Sequence, residues 1–374
     1  MQRRHFLQMS TTTPLLGMLG AALPSLAGAA PRPAGEGWRA YDVTTHVDLS
    51  ERTGLGRVWV PLPARQLVGS GGVEYQRLVD TRFDAPGASL AKVVRGPADT
   101  QMLVVEWTDP KVQQQVTLVN RVALRDRATD LGVESRPVNA SAADLRPWLR
   151  ATALKPTDGI VGDTARKITA DAGAHTDMER AKAIYDWIVA NCHREGSVRG
   201  CGTGDVKFVL TSGNLGGKCA DLNGLFVALA RASGVPARDV YGVRVDDSAH
   251  GYKSMGKSGD ISKAQHCRAE FYARGYGWVP VDPADVRKVM LEETKEGLPA
   301  TDARVRAANA MLFGAWEMNW MGYNHADEMR LPGARQQGPI GFLMYPNGET
   351  ANGRLDSLDP TTFRYSIGST RVAA

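Results

Sequence analysis

Cys219 is the residue in this chain whose setting best suits covalent chemistry. It follows Gly216-Gly217-Lys218, and an apolar segment with helical periodicity runs directly after it, from residue 220 to residue 233. A cysteine at a helix N-terminus faces the positive end of the helix dipole and free backbone N–H groups, and both favour the thiolate. The same N–H groups can stabilise an oxyanion when the sulfur attacks a carbonyl. We therefore predict that Cys219 is a nucleophile; the alternative is a structural half-cystine.

A predicted β-hairpin supplies a candidate base. Its strands, residues 265–273 and 277–282, flank an Arg-Gly-Tyr-Gly turn. If the turn centres on Arg274, His266 lies directly opposite Asp282, with Cβ atoms about 5 Å apart. A carboxylate beside an imidazole fixes its tautomer and stabilises its protonated form. We predict His266 as the base and Asp282 as the group that orients it. The alternatives are a surface histidine and a turn that merely ends the strand.

The other three cysteines are predicted to be structural. Cys192 and Cys201 lie on either side of eight residues in a glycine-rich loop, and we predict a disulfide between them, with free thiols as the alternative. Cys267 falls on the apolar face of its strand and is predicted to be a buried free thiol. The cysteine and histidine spacing matches no compact zinc pattern, so we predict no metal and no cofactor.

Three further residues are predicted to line the site. Asn214 lies in the loop before the nucleophile and is a candidate second oxyanion donor. Lys218 is assigned to the site because it directly precedes Cys219. Trp278 falls on the same face of the hairpin as His266, where an aromatic ring can exclude water; core packing is the alternative.

The segment from about residue 160 to residue 290 resembles the transglutaminase-like superfamily. The matches are Gly-Lys-Cys-Ala-Asp at 217–221, Leu-Phe-Val-Ala-Leu-Ala-Arg-Ala-Ser-Gly-Val-Pro-Ala-Arg at 225–238, His266 with Glu270 and Tyr272, and Gly-Trp-Val-Pro-Val-Asp-Pro at 277–283. The resemblance implies a papain-like triad of Cys219, His266 and Asp282. It also implies attack on an amide carbonyl and a thioester that passes to water or to an amine.

The periodicity divides the chain into a β-rich and a mixed part. Between residues 38 and 140, runs of β-branched and aromatic residues alternate with Gly and Pro clusters, which predicts a β-sandwich domain. After Ser141 helical periodicity begins, and Thr176 opens a helix with a capping box. We predict an α+β fold in which a papain-like, transglutaminase-like module at 145–295 follows the sandwich. Its nucleophile helix packs on an antiparallel sheet, and an aromatic-rich extension at 296–374 packs on both domains.

Residues 1–30 are predicted to be a signal peptide of the twin-arginine type. This segment has no acidic residue, carries Arg3 and Arg4 before Phe-Leu, and ends in a small-residue cleavage pattern. An ordinary secretory signal and a membrane anchor are the alternatives. No later segment is apolar enough to span a bilayer, so we expect no stable membrane insertion and a periplasmic location. The net charge of +5 arises from scattered basic residues, which does not favour nucleic acid as a partner.

The sequence favours a cysteine-dependent amide hydrolase or acyl transferase that acts on peptide or protein substrates in the periplasm. Hydrolysis is preferred. A protein-crosslinking transglutaminase is one alternative, and a non-catalytic binding or scaffold protein that retains the triad is another. The substrate and the oligomeric state stay open, because loops carry specificity without readable motifs.

Overall fold

A computed structural model of the 374-residue chain describes residues 37–50, 54–132, 140–336, 338–359 and 363–373. The predicted signal at 1–30 lies outside these ranges. The strands are β1 (Arg39–Asp48), β2 (Gly56–Leu62), β3 (Gln66–Val68), β4 (Glu74–Asp84), β5 (Leu90–Arg95), β6 (Gln101–Trp107), β7 (Gln115–Leu124), β8 (Arg127–Ala128), β9 (His193–Arg194), β10 (Gly216–Gly217), β11 (Ala237–Arg244), β12 (Gly259–Asp260), β13 (Gln265–Ala273), β14 (Gly277–Val281), β15 (Ala315–Trp316), β16 (Trp320–Asn324), β17 (Asn347–Thr350), β18 (Gly353–Arg354) and β19 (Arg364–Val372).

Most of the helices follow the β-rich segment. They are α1 (Ala142–Leu145), α2 (Gly159–Asp171), α3 (Asp177–Asn191), α4 (Val206–Thr211), α5 (Cys219–Ala232), α6 (Pro283–Glu292) and α7 (Ala303–Met311), with short 3-10 turns at Ser70–Gly72 and Arg146–Leu149. Thr176 caps α3 with both bonds of the predicted capping box. Within the described ranges, no helix has the length and apolarity needed to cross a membrane.

Two antiparallel sheets form a sandwich. One has six strands in the order β12-β19-β1-β7-β4-β3, and the other has five in the order β18-β17-β2-β6-β5. Val47 and Leu118 from the first sheet share a buried cluster with Val58 and Leu103 from the second, so the sheets pack face to face. The C-terminal strands belong to both sheets, because β19 pairs with β1 and β17 pairs with β2.

A four-stranded antiparallel sheet, in the order β14-β13-β11-β16, carries the rest of the fold. One face packs on α5, where Leu225 and Phe226 share a core cluster with Ala269 and Phe271. The other face rests on the six-stranded sheet, because Val240 and Trp320 share a cluster with Val43. The mixed architecture, with mostly antiparallel sheets and a helix packed on one of them, confirms the predicted α+β fold.

Several local elements were not predicted. The glycine-rich loop after Cys192 begins with the short strand β9, and α4 follows it. In the aromatic-rich extension, the run at 342–345 lies just before the strand β17. A helix, α6, follows directly on the hairpin. Each of these elements has ten residues or fewer, too short for a clear hydrophobic period.

A buried ion-pair cluster joins the sandwich to the four-stranded sheet. Arg127, which begins β8 just after β7 of the sandwich, lies 2.6 Å from Glu270 on β13 and also donates to the Trp278 carbonyl at 2.7 Å. Arg238 on β11 makes the second ion pair with Glu270, at 2.8 Å. Burial raises the pKa of Glu270, but the two arginines outweigh it and lower the pKa to about 2. Glu270 is therefore ionised at neutral and mildly acidic pH.

His325 lies beside this cluster and is neutral. Its Nδ1 donates to the Asp239 carbonyl at 3.1 Å, and its ring meets the edge of Trp148 at a centroid distance of 6.0 Å. Burial, together with the nearby charge of Arg238, lowers the pKa of His325 from 6.5 to about 3, although Glu270 opposes the shift. Between those pH values the unfolded chain binds a proton that the folded chain does not.

This difference predicts a loss of stability on acidification that depends on His325. The free energy of unfolding falls as the pH drops from 6.5 towards 3, by about 1.4 kcal/mol per pH unit from this group. His325→Asn retains a donor for the Asp239 carbonyl and removes the titrating ring. Urea unfolding of both proteins from pH 7 to pH 5 measures the effect. The difference in the free energy of unfolding between the wild type and His325→Asn narrows as the pH falls. A difference that stays constant would contradict the assignment of a neutral, buried His325.

Candidate active site

Cys219 is the first residue of α5, and it is 4% exposed. Asp221, in the first turn of the helix, binds two backbone N–H groups, one just before Cys219 and one in the segment 201–204. One oxygen of Asp221 accepts the Lys218 N–H at 2.9 Å, and the other accepts the Gly204 N–H at 2.9 Å. The predicted position of Cys219 at a helix N-terminus is therefore the position in the structure.

The 201–204 segment crosses directly over the start of α5. The Cys201 carbonyl accepts the Ala220 N–H at 2.9 Å. Gly202 has a φ of +90°, and a Cβ there would come within 1.9 Å of the Asp221 carboxylate. Only glycine fits this crossing, since a side chain would be both strained and in collision.

His266 and Asp282 are in contact: His266 Nε2 lies 2.7 Å from Asp282 Oδ2. The predicted register of the hairpin is wrong, however. Ala269 pairs with Val281, so the turn is centred one residue later than predicted, and Asp282 lies level with residue 268 rather than 266. A shift of two residues keeps the same face of the strand. The contact is therefore diagonal, and Asp282 reaches it from the end of β14.

Asp282 is the N-cap of α6, which fixes its carboxylate. Asp282 Oδ1 accepts the Asp285 N–H at 3.1 Å and the Asn223 side-chain amide at 3.0 Å. The same Asn223 amide donates to the Cys267 carbonyl at 2.8 Å, and its oxygen accepts the Ala284 N–H at 3.2 Å. Asn223 thus ties α5, β13 and α6 together at the point where the carboxylate meets the imidazole.

Two buried arginines compensate the carboxylates. Arg244 on β11 donates to both oxygens of Asp285, at 2.6 and 2.8 Å. Arg268 on β13 lies 3.6 Å from Asp282 Oδ2. Burial lowers the pKa of Arg268 to about 10, so both guanidiniums are charged at neutral pH. The site therefore holds two negative and two positive side chains before the thiol and the imidazole are counted.

The electrostatics favour a thiolate and an imidazolium. Burial lowers the pKa of His266, but the carboxylates of Asp285 and Asp282 outweigh burial and the nearby Arg244, and the net shift is upward. Hydrogen bonds from the thiols of Cys201 and Cys267, and then the nearby His266, hold the pKa of Cys219 well below its ordinary value, although burial opposes them. A proton is thus held on the imidazole rather than on the sulfur.

Cys201 belongs to this site, which the sequence did not indicate. Its sulfur lies 3.3 Å from the Gln265 carbonyl oxygen and accepts the Tyr345 hydroxyl at 3.1 Å. Hydrogen bonding to Cys219, followed by burial, raises the pKa of the Cys201 thiol, and burial, followed by hydrogen bonding to Cys219, raises the pKa of the Cys267 thiol. Both are therefore protonated donors beside the nucleophile.

The predicted disulfide between Cys192 and Cys201 is not formed. All four cysteines are buried free thiols. Cys192 caps the C-terminus of α3, and burial raises its pKa to about 12 despite the nearby Arg287. Cys201 instead contacts the nucleophile, so the two sulfurs serve different parts of the fold. Cys267 is a buried free thiol, as its place on the apolar face of the strand predicts.

The three residues predicted to line the site lie at different distances from the triad. Lys218 directly precedes the nucleophile and is the N-cap of α5. Asn214 is exposed in the loop before β10, and its amide nitrogen lies beside Gly216. Trp278 is four residues from Asp282 along an extended strand, about 13 Å away. Its ring packs over Arg238 at 4.0 Å, in the cluster that joins the sheets, and it does not cover the triad.

His266, Asp282 and Asp285 also have the composition of a metal site. Their ligand atoms all lie within 4.8 Å of one another. The carboxylate oxygens already accept hydrogen bonds from Arg244, from Asn223 and from the start of α6. A divalent cation would be placed beside two guanidiniums, so the arrangement suits an ion-pair network better than a metal.

Some of the site residues that were not predicted have a recognisable spacing in the sequence. Asn223 is four residues after Cys219, on the same face of the nucleophile helix. Asp285 is three residues after Asp282, the spacing of an N-cap and the third residue of its helix. Arg244 and Tyr345 offered no local signal, because strand pairing and packing bring them to the site.

Two sequence comparisons identify the family of this chain. Residues 162–283 match the family model of the transglutaminase-like superfamily. An uncharacterized protein of Haemophilus influenzae is 35% identical over 351 residues, which cover 89% of this chain and 91% of that protein.

Two solved structures are also similar. One, described as "a Putative Cysteine Protease from Cytophaga hutchinsonii", has a TM-score of 0.51 at 14% identity and covers 90% of this chain and 92% of its own. The periplasmic domain of TgpA from Pseudomonas aeruginosa has a TM-score of 0.35 at 15% identity, over 74% of this chain and 93% of that one. At these identities the first supports the fold alone.

The bridging role of Asn223 yields a prediction. Asn223→Leu keeps the side-chain volume but removes three hydrogen bonds, so we expect about 2–4 kcal/mol less stability and slower alkylation of Cys219. Urea unfolding and the rate of iodoacetamide labelling at Cys219 measure the two effects. Asn324→Leu is a matched control, because Asn324 is equally buried and bonds to Leu343 and Ala326. Equal labelling rates in the two variants would contradict the role of Asn223 at the site.

Proposed function

The chain belongs to the transglutaminase-like superfamily, and from that premise we propose that it is a cysteine-dependent enzyme that opens an amide bond of a peptide or protein. The observation that carries the proposal is the contact between His266 and Asp282, 2.7 Å, beside a buried thiol whose pKa is held low. A thiolate at a helix N-terminus next to an oriented imidazolium is the arrangement that amide cleavage by a thiol requires.

The first half of the reaction forms a thioester. The Cys219 sulfur attacks the amide carbonyl, and the carbonyl oxygen becomes an oxyanion. The N–H of Cys219 itself is the proposed donor to that oxyanion, since the next N–H, that of Ala220, is already bonded to the Cys201 carbonyl. Asn214 is the proposed second donor. The His266 imidazolium then gives its proton to the leaving amine as the carbon–nitrogen bond breaks.

The second half releases the acyl group. Neutral His266 removes a proton from the acceptor, which attacks the thioester, and the sulfur leaves as the thiolate that the imidazolium again stabilises. We favour water as the acceptor, because it is abundant wherever the enzyme works. An amine acceptor gives crosslinking by the same steps, so the triad alone is compatible with both products.

We propose that this reaction takes place in the periplasm. The support is the arrangement of residues 1–30, with Arg3 and Arg4 before an apolar stretch. The twin-arginine route exports folded protein, so the site would be assembled while Cys219 is still reduced. The substrate would then be a peptide or protein of that compartment.

Trapping tests the proposal. The mature protein is incubated with peptides from a periplasmic extract, quenched in acid and digested, and acyl adducts on Cys219 are sought by mass spectrometry. We expect adducts on Cys219 in the wild type and none in Cys219→Ala, which retains the fold because only one sulfur is lost. Cys192→Ala is the matched control and retains the adducts.

The products separate the alternatives. New carboxyl groups in the substrate indicate hydrolysis, whereas incorporation of an added primary amine with release of ammonia indicates crosslinking. If a Cys219→Ala gene restores the function of a deletion strain and no adduct forms in the wild type, the protein is a scaffold that retains the triad, and the proposed enzyme activity is wrong.

A further inference from the structure

A second carboxylate lies against the same imidazole nitrogen as Asp282. Asp285 Oδ2 is 3.4 Å from His266 Nε2, and Asp282 Oδ2 is 2.7 Å from it. The two aspartates occupy the N-cap and the third position of α6, and the Asp285 N–H donates to Asp282 Oδ1 at 3.1 Å. The start of one helix therefore presents two carboxylates to one ring nitrogen.

Arg244 holds the second carboxylate in place. It binds both oxygens of Asp285, and its other terminal nitrogen donates to the Met255 carbonyl at 2.6 Å. The side chains of Arg244 and Asp285 are 3% and 1% exposed. One terminal nitrogen of Arg244 contacts both oxygens of Asp285 while the other is held by the Met255 carbonyl, so the carboxylate is fixed in its place beside the imidazole.

The orientation of this pair distinguishes it from ion pairs that only stabilise the fold. The Arg127–Glu270 pair is as deeply buried, but its carboxylate faces Arg238 and His325. In the Arg244–Asp285 pair the carboxylate lies between the guanidinium and His266. Its negative charge therefore acts on the imidazolium directly, and Asp285 raises the pKa of His266.

We propose that Asp285, held by Arg244, is a positioning residue that keeps His266 in its imidazolium form and paired with the Cys219 thiolate. This inference rests on the proposed function. The triad then becomes a group of five residues, which are Cys219, His266, Asp282, Asp285 and Arg244. In this group both carboxylates accept from the Nε2–H of the imidazolium. Asp282 is also approached by Arg268, so each carboxylate has its own guanidinium.

The charged and titratable groups around His266 come from four helices and strands and from the crossing segment. They are Cys219 from α5, Arg244 from β11, Arg268 and Cys267 from β13, Asp282, Asp285 and Lys288 from α6 and its N-cap, and Cys201 from the crossing segment. The pKa of Asp285 is far below its usual range, despite burial, because of Arg244 and then His266. Asp285 is therefore ionised wherever His266 titrates.

The test compares two alkylating reagents on the full mature protein. Iodoacetate is anionic and is attracted by the imidazolium, whereas iodoacetamide is neutral. The ratio of their rates at Cys219, followed from about pH 4 to pH 10, falls where His266 loses its proton. In Asp285→Asn we expect this fall to move down by about one pH unit, because a negative charge next to the imidazolium is lost.

Three further variants keep the result interpretable. Glu270→Gln removes the carboxylate of the other buried pair and should lower stability without moving the fall in the ratio. Arg244→Gln combined with Asp285→Asn leaves no unpaired charge, so it carries the test if Asp285→Asn does not fold; the fall again moves to lower pH. Asp285→Glu keeps the charge and should retain the wild-type profile more closely than Asp285→Asn.

The outcomes separate this inference from the proposed function. If the wild type shows the high ratio and Asp285→Asn or the double variant shows the same pH dependence, Asp285 only stabilises the fold and this inference is wrong. If the wild type itself shows no excess of iodoacetate reactivity at any pH, no imidazolium faces Cys219. The proposed function is then wrong as well.

Discussion

The structure around Cys219 depends on the balance of charge in a deeply buried site. His266, Asp282 and Asp285 are each buried, and an isolated ion in such surroundings is expensive. A thiolate and an imidazolium can exist there only if every other charge is matched. Arg244 and Arg268 supply the match for the two aspartates, which leaves the thiolate and the imidazolium to neutralise each other.

This balance dictates which elements must meet. The nucleophile is on α5, the imidazole and one arginine are on β13, the second arginine is on β11, and both carboxylates are at the start of α6. Asn223 fixes three of these elements at one point. The sheet that carries β11 and β13 is in turn held against the sandwich by the Arg127–Glu270 pair and by the apolar contacts of Trp320. The sandwich therefore supports the site without contributing a side chain to the triad.

The sequence predicted the parts of the site that local chemistry determines. The glycine-rich approach to Cys219 and the helix after it were readable because capping and periodicity are local. The pairing of His266 with Asp282 was predicted on the correct face but in the wrong register, since a turn of four residues leaves its centre uncertain by one residue. The predicted face of the hairpin was still correct, because side chains alternate with a period of two and the register error was two residues.

Long-range packing determined the rest. Cys201 was assigned to a disulfide because it and Cys192 flank one loop, whereas in the structure it lies beside Cys219, eighteen residues away in sequence. Trp278 was assigned to the triad face by alternation, yet it lies too far along the strand to cover the site. Arg244 reaches Asp285 only because β11 pairs with β13, and no pattern near either residue indicates that contact.

The central claim is that Cys219 carries its negative charge at neutral pH. The ultraviolet absorbance of the thiolate, taken as the difference between the wild type and Cys219→Ala across a pH titration, measures that charge without any substrate. We expect the thiolate signal to be present at pH 7 and to be lost only well below the ordinary thiol pKa of about 8.5. A signal that appears only at or above that value would show that Cys219 is a neutral buried thiol, which would contradict the claim.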